Sequence, residues 1–316
     1  MDTVTTPRKS TPALAAIGFA VIAGVAGAAQ SAVNATLGQR VGSPLSAALI
    51  SNLCGGLLLA VIITAVPEVR RGIGRIRRSP QPWWIYCGGV FGALFLFTGA
   101  LTVPLIGVAL FTVGQVCGQT GGGLLADRTG LGPAGRRPVT AFRVLGTLLA
   151  ITAVIVAGVG RGFDGDAAWW LLPLVAVMGV GLAVQGAVNG RLTLTAGQPF
   201  ATSVVNFLAG TSAILVVFIP LRLAGTIPWN GLPSEPWLYV GGLMGPFVVV
   251  CSVLAINSVG VLRAGLGVLA GQLTGALALD LARTGAAPSP WILAGVAITA
   301  GAVWVSGRTK RVVGEG

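Results

Sequence analysis

The stretch "GVAGAAQSAVNATLGQRVGSP", Gly24–Pro44, returns as "GVGLAVQGAVNGRLTLTAGQP", Gly179–Pro199. Each places a glutamine and an asparagine four residues apart near the end of a long apolar run, Gln30 and Asn34 first, then Gln185 and Asn189. Each then closes on Gly-x-Pro. Leu37, Gly42, Pro44 and Gly55 match Leu192, Gly197, Pro199 and Gly210 at the same constant offset. At a slightly smaller offset, Trp84, Tyr86, Gly88, Gly89 and Gly92 match Trp237, Tyr239, Gly241, Gly242 and Gly245. Gly107, Gly114, Gly118, Gln119, Gly122 and Asp127 match Gly260, Gly267, Gly271, Gln272, Gly275 and Asp280 at that second offset. The chain is an internal duplication.

Composition says where such a duplication lives. Of 316 residues, 54% are hydrophobic and 9% charged, with a mean hydropathy of +0.88. A soluble domain carries about 25% charged residues. Apolar runs of membrane-spanning length recur along the whole chain. The formal charge of +12 sits in short breaks between those runs, with no basic domain to dock a duplex, so nucleic acid is excluded as a partner. There is no histidine, which removes His-based metal sites and general bases. Cys54, Cys87, Cys117 and Cys251 are scattered through apolar runs without CxxC spacing, as small buried hydrophobes would be. No cofactor and no metal are expected. The first apolar run follows Arg8 and Lys9 and contains "AGAAQ", like a signal peptide. Its length and its mid-chain copy argue for a retained span.

Ten spans are expected, at 13–37, 44–66, 83–103, 106–126, 141–160, 168–190, 199–221, 236–256, 260–281 and 289–306. The breaks fall at "GSP", "PEVRRGIGRIRRSPQP", "DRTGLGPAGRRP", "RGFDGD" and "RTGAAPSP". Trp83, Trp84, Trp169, Trp170, Trp237, Trp291 and Trp304 cluster at span ends, as in an interfacial belt. Only Arg40, Arg161, Arg222 and Arg283 of the twenty Lys and Arg fall on the far side of a ten-span arrangement. This bias places both termini of a multi-pass membrane protein in the cytoplasm.

A five-span unit has odd parity, so its second copy enters from the opposite side. The expected fold is therefore an all-α integral membrane protein with ten transmembrane helices in a 5+5 inverted-topology repeat. Residues 1–12 form a cytoplasmic tail, 13–160 the first repeat, 161–167 an external linker, 168–306 the second repeat and 307–316 a cytoplasmic tail.

"QSAVNATLG…GSPLSAAL", "WWIYCGGVFGAL" and "GQTGGGLLAD", each echoed in the second half, resemble the YdcZ-like family of the drug/metabolite transporter superfamily. Its basic unit is five helices, so nearly the whole chain resembles two fused units. That resemblance implies a ten-helix inner-membrane exporter and carries neither a substrate nor assigned functional residues.

Gln30 with Asn34 and Gln185 with Asn189 share helix faces. An amide in hydrocarbon is costly unless paired, so these point into the bundle or a wet cavity. They serve as interhelical glue or as a substrate-lining strip, and near the span ends they also suit gates. Gln119 and Gln272, with Gln115 in the first half alone, lie nearer mid-membrane beside glycine stripes and are the favoured cavity residues. Ser51, Asn52 and Asn206 add polar groups where the symmetry is imperfect, because Asn206 matches Ser51 and Asn52 matches Phe207. Asn257 is expected at a short turn. Asp127 and Asp280 fall at helix C-termini, where the dipole disfavours a carboxylate. Each is expected to pair with an arginine, Arg128 and Arg283 being near, or to cap a neighbour; proton coupling is the alternative. Arg263 is expected to snorkel to the cytoplasmic face, with anion binding as the lesser reading. No Asp or Glu lies mid-span, which argues against simple carboxylate-based proton exchange.

The leading expectation is a secondary transporter of a small organic solute by alternating access. The scarcity of fixed charge favours a neutral, zwitterionic or amphipathic solute. The alternatives are a flippase for lipids or lipid-linked substrates and a non-transporting scaffold or partner subunit. Enzymatic activity is not expected. The partners are a small-molecule substrate and the lipid bilayer, and a homodimer stays open as an assembly.

Overall fold

The computed structural model describes residues 12–159, 169–284 and 290–308. The charged tails, the 161–167 linker and the side chains of Trp169, Asp280 and Arg283 lie outside the described residues. Every regular element described is helical. The α-helices are α1 Ala13–Val41, α2 Pro44–Ala65, α3 Pro67–Arg78, α4 Gly88–Thr129, α5 Ala141–Val159, α6 Leu172–Ala196, α7 Pro199–Leu223, α8 Val240–Val259, α9 Val261–Thr284 and α10 Pro290–Ser306, with short 3-10 turns before α4, α6 and α8. Six of the described helices are long and apolar enough to cross a membrane, and three shorter apolar stretches, Trp83–Gly99, Ala141–Val156 and Pro290–Ser306, accompany them.

The Gly-x-Pro signals act as punctuation. Gly42 and Gly197 adopt left-handed φ values of 85° and 66° and close α1 and α6. Ser43 and Gln198 then accept backbone N–H groups with their side chains, and Pro44 and Pro199 open α2 and α7. A residue at φ > 0, a capping side chain and a proline at the first helical position make a sharp reversal at low cost. The carbonyls left without intrahelical partners at the two helix ends are also met. The backbone of Asn230 donates to Val41 O at 3.1 Å, and Arg75 donates to Ala196 O at 2.8 Å.

Two elements differ from the sequence expectation. The basic stretch after α2 is a helix, α3, because Val69, Gly72 and Ile76 fall on one buried face while its arginines point outward. The two spans expected at 83–103 and 106–126 fall, apart from the 3-10 turn Trp83–Cys87, in one uninterrupted stretch of helical residues, α4, of 42 residues. A straight helix of that length would be about 63 Å long, twice the hydrocarbon thickness. It is not straight. The rings of Phe95 and Phe111 lie 5.3 Å apart, whereas a straight helix would separate them by roughly 24 Å. The chain therefore doubles back between them, and α4 consists of two antiparallel arms. Asn257, expected at a turn, lies within the last turn of α8.

The halves interlock. The second arm of α4 packs on α6, and α9 packs on α1, through the glycine stripes. A methyl group on Gly118 would enter the backbone of Ala176, and one on Gly271 would enter the backbone of Val21. Gly122 lies against Val180, as Gly275 lies against Val25. These are the same contacts at repeat-equivalent positions. The last helices of the two repeats, α5 and α10, pack on each other through Ala150, Val154, Ala302 and Val303. Outward faces stay apolar: Leu57, Val61, Leu148, Leu208 and Val216 are more than half exposed, as hydrocarbon contact requires. Trp83, Trp170, Trp237, Trp291 and Trp304 are exposed near helix ends.

Gly118→Ala is expected to destabilise the protein by about 1–3 kcal/mol, because α6 must move away from a fixed backbone contact. Gly121→Ala, one turn away with open space around it, is expected to leave the unfolding midpoint unchanged or slightly raised. Thermal unfolding of the two variants in detergent checks the pair.

Candidate functional site

Where α4, α6, α8 and α9 meet, a cavity of about 210 Å³ remains. Gln115 and Gln119, one turn apart on the second arm of α4, enter it from one side, and Gln272 of α9 from another. α6 contributes Gln185 and Asn189, and α8 contributes Ser252 with Val248 and Ile256. The rest of the wall is mainly aliphatic: Leu182, Val261, Ala264 and Val268. Five of the residues singled out in the sequence thus converge on one volume from three helices. Gln30, Asn34, Ser51, Asn52 and Asn206 are not part of this wall. Ser252 was missed. Its only signal is a lone hydroxyl in the run "FVVVCSVLAI".

The amides also hold helices together. Asn189 donates to Asn206 Oδ1 at 2.8 Å, and Gln185 donates to the same oxygen at 3.1 Å. Asn189 and Asn206 are 4% and 7% exposed. Gln185 therefore belongs both to the cavity wall and to the link between α6 and α7. One turn beyond Asn189, the hydroxyls of Thr193 and Thr202 meet at 2.6 Å. The first half lacks this arrangement because serine, Ser51, stands where Asn206 would be. Asn34 Oδ1 is buried there without a hydrogen-bond partner. Gln30 and Asn34 instead lie against Gly245 and Gly241 of α8, while Gln185 and Asn189 lie against Gly92 and Gly88. Asn52 approaches Gly210 of α7.

The cavity is one-sided because the repeats have diverged in side-chain volume. Val248, Ser252 and Ala264 of the wall correspond to Phe95, Gly99 and Phe111. At the first-half position the two phenyl rings pack together and close over Gly99. Ile106, Leu171 and Val175 complete that plug.

Asp127 is enclosed by its surroundings. Its side chain is 1% exposed and pairs with Arg143 Nη2. Its two carboxylate oxygens accept the backbone N–H groups of Val261 at 2.8 Å and Leu262 at 3.2 Å. The carboxylate at the end of α4 thus caps the start of α9, where the dipole favours it. Arg143, sixteen residues on, is the ion-pair partner, replacing Arg128 of the sequence expectation, because the loop before α5 turns back across the end of α4. Arg137 of that loop donates to Val259 O at 2.7 Å and Ser258 O at 3.1 Å, holding the end of α8. This carboxylate is structurally engaged and lies outside the cavity wall.

The chain matches the family model described as "Putative inner membrane exporter, YdcZ" twice, over residues 15–156 and 169–305. It is 30% identical over 119 residues to the inner membrane protein YdcZ of Escherichia coli K12, covering 37% of this chain and 78% of that one. It is 34% identical over 127 residues to the magnetosome protein MamN of Magnetospirillum gryphiswaldense, covering 37% of this chain but only 27% of that one. A crystal structure described simply as that of a protein shares the fold, with a TM-score of 0.66 over 93% of this chain and 96% of the other at 17% identity.

Asn206→Ala removes the acceptor shared by Asn189 and Gln185. A double-mutant cycle with Asn189→Ala is expected to show a coupling of about 0.6–1.7 kcal/mol, the range for hydrogen bonds between membrane helices. The equivalent cycle between Ser51 and Asn34 is expected to show none, since Asn34 has no partner to lose. Both are read from unfolding midpoints.

Proposed function

The chain belongs to the YdcZ-like family of the drug/metabolite transporter superfamily, and on that premise we propose a secondary transporter that exports a small organic solute by alternating access. Membership accounts for a polytopic inner-membrane protein with a transport role. The finer reading is a ten-span, 5+5 inverted repeat with cytoplasmic termini, without enzymatic chemistry, whose solute site is the amide-lined cavity between α4, α6, α8 and α9.

The observation that carries this reading is the convergence of Gln115, Gln119, Gln185, Asn189 and Gln272 on one 210 Å³ volume. Helices from both repeats bound it, so relative motion of the halves changes its access. Amides offer both donors and acceptors but no net charge, and no ionisable side chain lines this wall. Such a wall matches a neutral or zwitterionic solute, with the aliphatic residues holding its apolar part. A subunit that only scaffolds other proteins has no use for a polar cavity of this kind, so the cavity favours transport. The first-half positions Gln30 and Asn34, at the α1–α8 contact, fit a place where the interface must shift as access changes.

The test is flux into proteoliposomes, using a panel of labelled neutral, zwitterionic and cationic solutes. Wild-type protein is expected to move at least one neutral or zwitterionic solute. Ser252→Trp, which fills the cavity, is expected to abolish that flux while the folded protein persists. Gln119→Ala and Gln272→Ala are expected to raise the half-saturating concentration about tenfold each, for the loss of one hydrogen-bonding group. If no solute moves and none raises the unfolding midpoint, or if Ser252→Trp transports normally, the reading fails.

A further inference from the structure

A second cavity, of about 200 Å³, opens at the end of the bundle where the loop before α5 meets the starts and ends of α8, α9 and α10. It is lined by Arg137, Arg143, Arg263 and Arg308, together with Thr140 and Ser306. None of these residues faces the amide-lined wall. Four guanidinium groups meet here, and among the described residues the one carboxylate they touch, Asp127, is already engaged by Arg143 and two backbone amides.

Each arginine is held in place. Arg137 spans the last carbonyls of α8. Burial draws its pKa below the ordinary value; Asp127 opposes that shift and the charge of Arg143 adds to it. Arg143 is fixed by Asp127 and also donates to Pro138 O at 3.3 Å. Arg308 lies 3.7 Å over the exposed ring of Trp304. Arg263 presses against Gly307, a position at which any side chain would collide with its guanidinium. Its Nε is buried without a hydrogen-bond partner.

An unpartnered buried donor on a cation is expensive, and like charges gathered around a cavity repel one another in a low-dielectric setting. An anion with several acceptor oxygens in the space offsets the repulsion and gives the guanidinium groups that line it acceptors. Planar guanidinium forks match phosphate oxygens in geometry as well as charge. Trp304 is exposed near the end of α10, tryptophan is enriched at the headgroup level, and basic pockets between membrane helices are a recurring setting for anionic headgroups.

We infer that the cavity bounded by Arg137, Arg143, Arg263 and Arg308 binds a phosphate-bearing anion, supplied by an acidic phospholipid headgroup or by free phosphate. The bound anion links the ends of α8 and α10 with the start of α9 and the loop before α5. It thereby fixes one end of the bundle independently of any solute in the central cavity.

The test is thermal unfolding of the full chain in a neutral detergent at constant ionic strength. The probes are inorganic phosphate, dioctanoyl phosphatidic acid and dioctanoyl phosphatidylcholine. A saturable rise in midpoint is expected with phosphate or phosphatidic acid, and none with the zwitterionic lipid or with added chloride. Response to phosphatidic acid alone assigns a headgroup; response to both assigns a site open to soluble anions. Arg263→Gln and Arg308→Gln are each expected to raise the half-saturating concentration about tenfold, and Arg191→Gln, on exposed α6 surface, to leave it unchanged. Arg308 is exposed, so its variant decides the matter if Arg263→Gln does not fold. No response in either anionic arm, or an undiminished response in the Arg308 variant, overturns the inference.

Discussion

The fold depends on backbone meeting backbone at glycine, between Gly118 and Ala176 on one side and between Gly271 and Val21 on the other. In hydrocarbon, two helices gain little from burying apolar faces, since lipid tails are equally apolar. Adhesion comes from close packing, and one methyl group at either contact would force the rods apart. A hydrogen bond between membrane helices averages about 0.6 kcal/mol, while overpacking costs about 1–3 kcal/mol. The glycine contacts therefore set the geometry, and the amides adjust it. Because each contact joins a helix of one repeat to a helix of the other, neither half forms a separate body. The central cavity is the space that this crossing leaves between α4, α6, α8 and α9.

Two copies of one unit have taken unequal roles within that frame. In the second half, Asn206 gathers Gln185 and Asn189 into a closed network, and small side chains leave the adjacent wall open. In the first half, Ser51 cannot reach its amide pair, and Phe95 with Phe111 fills the equivalent volume. A symmetric pair would close both pockets or open both. Divergence at three or four positions is enough to give one pocket and one plug. At the arginine-rich end, Asp127 shows the same economy: a carboxylate misplaced for its own helix is well placed to cap the next one, and Arg143 completes its surroundings.

Much of this was legible in the sequence because it rests on local rules or on repetition. The Gly-x-Pro reversals follow from backbone restrictions at Gly42, Pro44, Gly197 and Pro199. The glycine spacing points to tight packing, and Gln119 and Gln272 stand beside those stripes in the sequence as they do in the cavity wall. What stayed hidden depended on three-dimensional neighbours. The partner of Asp127 is sixteen residues away because a loop folds back, and charge proximity along the chain pointed to Arg128. The split between Gln185, on the cavity, and Gln30, off it, is set by the sizes of residues 95, 99 and 111 against 248, 252 and 264. Helix α3 reads in the sequence as a charged break because its three buried residues are few among many arginines. The gathering of Arg137, Arg143, Arg263 and Arg308 joins loop and helix ends distant in the chain, which no periodicity records.

The proposed transport cycle requires the two halves to be inverted in the membrane, and labelling tests that inversion directly. Ser79, after α3, and Leu232, before α8, are exposed and occupy corresponding connections of the two repeats. In cells carrying a variant without its four native cysteines, single cysteines at these positions are treated with a membrane-impermeant thiol reagent. Inversion predicts that the cysteine at 232 reacts in intact cells and the cysteine at 79 reacts only after the membrane is opened. Reaction of both from the same side would contradict the inverted fold, and with it alternating access through the central cavity.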